Sequence, residues 1–390
     1  MKTTKALRLV AGLLAGAILG TARGDAHKPI TSKYTYTEHV FPIFRDRCGA
    51  CHLPNGAAPM SLLTYKDAVP WAESIRTELM AARMPPWDAE DGFGAFSNAH
   101  PLSARELDTI LVWATGGTPP GDPAKMPAAP IVNNGWMLGA PDLALPMPSS
   151  FTLAADLAEA TREFVLQPAT AETRWIKAVD LLPGTAAIVR DAAVVVKGAP
   201  DEVLALWEPG ERAVPAPEGT AFRLPARAEL VLRIHYKKTW RDEGRAVTDR
   251  STVGIYFAHG TKHDRIRQLV LKPGRNPIGL DVLVMAVRVE TNRPGVLVQA
   301  EAVRGPDNSR VPMIRLKTRP DWPRRYWLER PISLPVYSRI EVTQTSDRGA
   351  PTTGAAPIRV TLDVVSRLAP RPSGVEGRQR REQIAIRPLQ

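Results

Sequence analysis

The spacing of apolar residues changes along this chain from a helical to an extended period. Before residue 120, apolar side chains recur every three or four positions, which predicts a helix over 40–48 and a second over 70–79. Ser103 and Glu106 have the spacing of a capping box, in which each residue satisfies a main-chain donor of the first helical turn. They predict the start of a third helix. The first part of the chain is therefore expected to be helical.

After about residue 160 the pattern becomes that of short strands. Apolar and polar residues alternate over short runs, and Pro and Gly separate the runs at intervals of roughly ten residues, a pattern typical of antiparallel sandwiches. The predicted strands cover 192–196, 229–236, 252–257, 296–300, 339–343 and 358–364. The fold class that follows is a small all-α domain followed by two all-β antiparallel sandwich domains of jelly-roll-like type.

Composition indicates where these parts begin and end. A run rich in Gly and Pro, 116–123, ends the helical region, and the last residues are rich in Arg, Pro and Gln. We predict a signal peptide over 1–26, an all-α domain over 30–122, a Pro-rich linker over 123–160, β-sandwiches over 161–268 and 269–368, and a disordered basic tail over 369–390.

The first residues have the pattern of a secretory signal. Lys2, Lys5 and Arg8 accompany an apolar run that ends at Leu19, and small residues follow near Ala22. The run is shorter than the roughly 20 residues that a membrane-spanning helix needs. We expect the signal to be cleaved and the mature protein to be periplasmic or secreted.

The formal net charge of +11 favours anionic partners. A secretory signal, and the lack of a basic motif interleaved with aromatic residues, argue against nucleic acid. Three kinds of partner fit the expected compartment better. They are an acidic redox partner protein, other subunits of an electron-transfer complex, and an anionic membrane surface that the protein contacts peripherally.

The strongest chemical motif is Cys48-Gly49-Ala50-Cys51-His52, which contains both cysteines of the chain. C-x-x-C-H is the attachment sequence of a c-type haem. Its two thiols bond the porphyrin, and its histidine ligates the iron. A redox-active cysteine pair or half of a zinc site is the alternative. The first would follow a strand in a thioredoxin-like unit and the second needs further ligands at motif spacing, and neither context is present.

An electron-transfer haem takes a second axial ligand, and a methionine raises its reduction potential. We predict Met84, which the stiff sequence Pro85-Pro86-Trp87 follows. Met60 is the alternative sixth ligand. Met80 lies in the preceding helix and is expected to pack in the hydrophobic core. His100, or an open position that would permit ligand binding or peroxidase chemistry, is a further possibility.

These residues carry a resemblance to known families. The segment 39–122 resembles a class I cytochrome c domain, and 58–65 and 84–87 resemble the cytochrome modules joined to bacterial relatives of copper type II, ascorbate-dependent monooxygenases. The β region is similar to the two sandwich domains of peptidylglycine hydroxylating and dopamine β-monooxygenases. That similarity is carried by 204–210, 221–225, 230–236 and 250–257.

The resemblance implies two copper ions bound mainly by histidines, and most of those positions lack histidine here. Arg190 and Asp191 stand where a His-His pair is expected, and Val287 and Val289 where a His-x-His segment is expected. Of the histidine ligands that the resemblance implies, only His235 is present, and it is a candidate remnant of a copper site. Arginine is permanently protonated and valine has no donor atom, so we do not expect copper.

A second pair, His259 and His263, lies in a polar loop and is a weaker candidate for a metal site. The sequence thus predicts a monohaem c-type cytochrome that transfers one electron, with a degenerate monooxygenase-like β region acting as a binding or docking module. Two alternatives stay open. One is a copper-dependent monooxygenase that receives electrons through the haem, and the other is a structural haem subunit of a larger complex.

Overall fold

The computed structural model describes residues 31–129, 135–260, 262–305, 307–345 and 358–366. The predicted signal peptide, 1–26, and the predicted tail, 369–390, lie outside the described residues. Within them the fold is mostly β-sheet, with a few short helices, as the sandwich prediction requires. No helix among the described residues has the length and apolar character needed to cross a membrane.

The helices lie mainly before residue 116, where the sequence predicts them. A π-helical turn (Tyr36–Val40), α1 (Phe41–Ile43) and a second π-helical turn (Phe44–Cys48) follow one another without a break. They are followed by α2 (Tyr65–Ala68), a 3-10 turn (Val69–Trp71), α3 (Ala72–Met80) and α4 (Ala104–Thr115), and shorter 3-10 turns cover Pro123–Lys125 and Trp240–Asp242. The helices pack around a core that includes Tyr36, Phe41, Phe44 and Trp113, all fully buried.

The predicted capping box at the start of α4 is confirmed. The Ser103 hydroxyl accepts a hydrogen bond from the Glu106 main-chain N–H (3.2 Å), and the Glu106 carboxylate accepts one from the Ser103 N–H (2.7 Å). Two donors of the first helical turn are thereby satisfied.

The remaining regular elements of the described chain are strands. The strands are β1 (Leu143–Pro146), β2 (Phe151–Leu153), β3 (Glu159–Leu166), β4 (Arg174–Leu182), β5 (Val189–Val196), β6 (Ala199–Trp207), β7 (Thr220–Leu224), β8 (Leu230–Lys237), β9 (Val247–Asp249), β10 (Thr252–Phe257), β11 (Asp264–Leu271), β12 (Gly274–Pro277), β13 (Val282–Glu290), β14 (Leu297–Val303), β15 (Arg310–Lys317), β16 (Arg325–Leu334), β17 (Arg339–Thr345) and β18 (Arg359–Ser366). Each strand predicted from the alternation is confirmed.

Two sandwiches share one long sheet. Its strand order is β1-β10-β4-β7-β11-β18-β13-β16. In the first sandwich, a four-stranded sheet, β3-β8-β5-β6, shares a core with the first half of the long sheet. In the second sandwich, β12-β17-β14-β15 shares a core with the second half. Strands β7 and β11 pair in parallel and join the two halves, whereas the other pairs are antiparallel.

The segment 123–160, predicted as a linker, differs from that prediction because it contributes strands β1 and β2 and the start of β3. Leu145 and Leu153 are buried in the first core, and Pro146 is tolerated because it ends an edge strand. Strand β11 also runs across the boundary predicted between residues 268 and 269. The two sandwiches are joined by hydrogen-bonded strands rather than by a flexible linker.

Candidate functional site

The C-x-x-C-H motif forms one tight turn at the end of the first helical segment. Cys48 is the last residue of that segment, and its carbonyl accepts hydrogen bonds from the N–H groups of Cys51 (3.1 Å) and His52 (2.9 Å). A Cβ at Gly49 would lie 2.7 Å from the Arg45 carbonyl oxygen, so only glycine fits there. The turn therefore brings both thiols and the imidazole of the motif close together.

The imidazole of His52 is oriented by a main-chain carbonyl. Its Nδ1 lies 3.1 Å from the carbonyl oxygen of Met60, which places the ring proton on Nδ1 and leaves the lone pair on Nε2. Burial lowers the pKa of His52, so the ring is neutral. His52 is thus prepared to act as a ligand through Nε2.

The two thiols are reduced and poorly suited to thiolate chemistry. Burial raises the pKa of Cys48 to about 12 and that of Cys51 to about 11. Cysteines that exchange disulfides or bind metal as thiolates normally have a lowered pKa. The arrangement therefore does not favour a redox-active cysteine pair.

The candidate sixth ligands lie in different surroundings. Met84 and Met60 are half-buried and pack against the same helical core as Cys48. Met80 does not fill the core as predicted, because its side chain is 64% exposed on the outer face of α3. His100 is also exposed. Among these candidates, Met60 and Met84 are the two that pack against the helical core.

The β region closes over one side of the motif. The Cys51 thiol donates to the carbonyl of Pro209 at 3.1 Å, and the Arg190 guanidinium donates to the carbonyl of Ala57 at 3.2 Å. Gly210 lies so close that a Cβ there would be 3.0 Å from the Cys51 sulfur. The motif is therefore part of an interface between the helical region and the first sandwich.

A buried ionic cluster lies behind this contact. Glu208 is fully buried and pairs with Arg324, whose Nε lies 3.7 Å from Glu211, and Glu211 also accepts a hydrogen bond from Asn98 (2.9 Å). Burial raises the pKa of Glu208 to about 8 and raises that of Glu211 as well. No local pattern in the sequence marks this cluster, although Glu208 lies in 204–210, one of the stretches that carry the monooxygenase resemblance.

The positions expected to hold copper have other partners. His235 and Asp191 face each other across β8 and β5, with Nδ1 and Oδ2 2.8 Å apart, and this hydrogen bond raises the pKa of His235. Val287 is fully buried in the second core, and Val289 packs against that core.

The other histidine pair is not assembled as a metal site. His263 is 3.2 Å from the carbonyl of Gly260 and lies against the ring of Trp175, and His259 is exposed. Among the described residues, no group of three or more His, Cys, Asp or Glu side chains is arranged to hold a metal ion. This absence concerns metal sites built wholly from protein side chains. It does not bear on a haem iron, which takes only one or two ligands from the protein.

No protein-family model and no curated protein matches the chain. Solved structures with partial similarity include a turret protein, A223, of Sulfolobus turreted icosahedral virus (8% identity, 58% of this chain and 100% of that chain, TM-score 0.16). Others are the CUB1-EGF-CUB2 domain of human MASP-1/3 (11%, 55% and 99%, TM-score 0.15) and oxalate decarboxylase from Bacillus subtilis (8%, 56% and 71%, TM-score 0.12). Scores this low carry no argument about fold or function.

Proposed function

We propose that this protein is a periplasmic or secreted c-type cytochrome with one covalent haem that transfers one electron. Its cytochrome part would be the helical region, and its β region, similar in sequence to copper monooxygenases, would serve as a binding or docking module. One observation carries the proposal. Cys48, Cys51 and His52 share a tight turn, and the His52 ring is held by the Met60 carbonyl with Nε2 free to ligate iron.

The residues around the motif fit a haem. Two protonated thiols can add to the porphyrin side chains, and a neutral imidazole is the form that binds iron. Leu53, Met60 and Met84 pack with Cys48 against one apolar core, which would exclude water from the porphyrin faces. The haem supplies a one-electron couple, while the chain tethers, ligates and shields it.

The orientation of His52 supports Met84 over Met60 as the sixth ligand. The Met60 carbonyl approaches Nδ1 of His52 and leaves Nε2 free. His52 and Met60 would therefore hold a haem from the same side, and a second ligand would have to come from another segment. Met84 packs against the helical core from another segment of the chain, so it would supply that second ligand.

The β region supports docking better than copper chemistry. Arg190, at an expected copper position, contacts the Ala57 carbonyl of the helical region, and Val287, at another, is a core residue. Without the predicted signal peptide, which contains Lys2, Lys5, Arg8, Arg23 and Asp25, the formal net charge is +8. This excess of positive charge favours an acidic redox partner, further subunits or an anionic membrane surface.

Absorption spectra of the oxidised and reduced protein, together with metal analysis, test the proposal. We expect one equivalent of iron, covalent haem and an absorption band from the thioether-to-iron bond. Met84→Ala should abolish that band, and the matched variant Met60→Ala should keep it, because only Met84 is proposed to ligate the iron.

Other outcomes would contradict parts of the proposal. Two tightly bound copper ions would instead support a monooxygenase that receives electrons through the haem. A stable multi-subunit complex whose function does not change in Met84→Ala would support a structural haem subunit.

A further inference from the structure

The segment 83–90, here called the Met84 segment, lies against the second sandwich. We propose that this sandwich presents Met84 to the haem, with Arg319 and Arg324 as positioning residues that bind main-chain carbonyls on either side of Met84. The inference rests on the proposed function, because it assigns the β region a role in setting the sixth ligand of the iron.

Arg319 braces the Met84 segment at two points. Its Nη1 donates to the Arg83 carbonyl at 2.9 Å, and its Nε pairs with the carboxylate of Asp88. The Asp88 side chain is only 8% exposed, so this ion pair is shielded from water on one side. One planar guanidinium therefore holds Arg83, just before Met84, and Asp88, four residues after it, at a fixed separation.

Arg324 holds the other side of Met84. Its Nη1 donates to the Pro86 carbonyl at 2.7 Å, and its guanidinium lies over the ring of Trp87, 5.2 Å from the ring centre. The buried carboxylate of Glu208 binds Nη2 and orients the group. Because Glu208 is followed by Pro209, which contacts Cys51, the same cluster connects the Met84 segment with the haem-attachment turn.

The main chain of the Met84 segment also adds to the edge of a sheet. Ala89 forms an antiparallel bridge with Leu316 of β15, and the Glu90 N–H donates to the Arg315 carbonyl at 2.7 Å. Trp87 packs against Tyr326 at the start of β16, with ring centres 5.2 Å apart. The residues after Met84 are thus held by strands of the second sandwich.

The polar contacts that the Met84 segment makes with the helical region are more exposed to solvent. The Arg83 N–H donates to the Glu78 carbonyl (2.9 Å), and the two side chains form an ion pair that is half exposed. Exposed ion pairs contribute little to stability because water and salt screen them. Arg319 and Arg324 hold the main chain on both sides of Met84, and their contacts with Asp88 and Pro86 are partly buried. We therefore expect the β region to decide whether the thioether reaches the iron.

The test uses the full-length holoprotein and the variant Arg319→Gln. Losing a charge-assisted brace should weaken the thioether-to-iron band and make imidazole, added as an external ligand, bind the oxidised haem about tenfold more tightly. Arg319→Lys keeps the positive charge but not the planar fork that reaches two acceptors, so it should retain part of the band. Arg310→Gln is the matched control, since Arg310 is in β15 and pairs with Glu301 and Glu341 rather than with the Met84 segment.

Thermal unfolding separates positioning from general stability. A lower unfolding temperature with an unchanged band and unchanged imidazole affinity in Arg319→Gln would overturn the inference. If Arg319→Gln yields no folded holoprotein, Arg319→Lys and Asp88→Asn carry the same test, and wild-type values in both would overturn it. If Met84→Ala keeps the band, Met84 is not the iron ligand and the proposed function is wrong on that point. If Met84→Ala loses the band but the Arg319 variants do not, only the positioning role of the arginines is wrong.

Discussion

Two histidines show how one hydrogen-bond partner determines what an imidazole can do. His52 faces a neutral main-chain carbonyl, and burial lowers its pKa, which favours the neutral ring with a free lone pair on Nε2. His235 faces the Asp191 carboxylate, which raises its pKa and favours the protonated ring. The motif around His52 could be recognised from the sequence because all of its parts lie within five residues, but the Met60 carbonyl could not be identified as its partner.

Asp191→Asn should lower the pKa of His235, because the carboxylate that favours its charged form is removed. In the wild type the folded-state pKa is raised above 6.5, so the contribution to stability is fully present below that pH and is lost as the pH rises through the folded-state pKa. For this partly exposed pair we expect about 1 kcal/mol or less. NMR titration of the imidazole and urea unfolding at pH 5.5 and 8.5 measure both effects.

Glu163→Gln is the control for that change. Glu163 is on β3 beside β8 but pairs with Arg233, so the pKa of His235 should stay at its wild-type value. An unchanged His235 pKa in Asp191→Asn would show that the carboxylate does not set it.

At the scale of elements, strand β13 shows why the expected copper positions hold valine. The strand lies between β16 and β18, and Val287 is opposite Tyr326 and Leu362 in the two ladders. Its side chain has no exposure to solvent. A polar imidazole at this position would have to find a partner inside an apolar core, so valine here stabilises the sandwich.

Val287→Ala should lower the free energy of unfolding by roughly 2 kcal/mol, because it removes buried methyl groups and leaves a cavity. Val289→Ala is the matched control on the same face of β13. That position is only partly buried, so a smaller loss is expected there. Chemical denaturation measures both, and an equal loss in the two variants would contradict the assignment of Val287 to the core.

At the scale of the whole molecule, the helical region and the β region are packed into one structure. Gly210 of the first sandwich approaches Ala50 and Cys51, where an added Cβ would be 2.9 Å from the Ala50 Cβ. The Met84 segment pairs with β15 of the second sandwich. Substitutions in either sandwich are therefore expected to change the surroundings of the C-x-x-C-H turn or of the Met84 segment.

Gly210→Ala tests the closeness of that packing. Gly210 and Gly198 both have a positive φ (79° and 81°), but a Cβ at Gly198 would meet nothing within 4 Å. Both Ala variants should lose about 1–2 kcal/mol from backbone strain, and Gly210→Ala should lose about 1–3 kcal/mol more because the loop must move away from Cys51. The free energy of unfolding of the two variants is the measurement, and equal losses would contradict a tight contact.

Local patterns in the sequence determined the helices, the capping box of Ser103 and Glu106, the predicted strands and the C-x-x-C-H turn. Each depends on side chains only a few residues apart, so spacing alone carries the information. Only the tertiary structure decided which distant segments meet. Glu208 and Arg324 are 116 residues apart and Arg319 and Asp88 are 231 apart, and no local pattern records such contacts. They arise because strand pairing and burial bring those residues to one interface, where a carbonyl or carboxylate must find a donor once water is excluded.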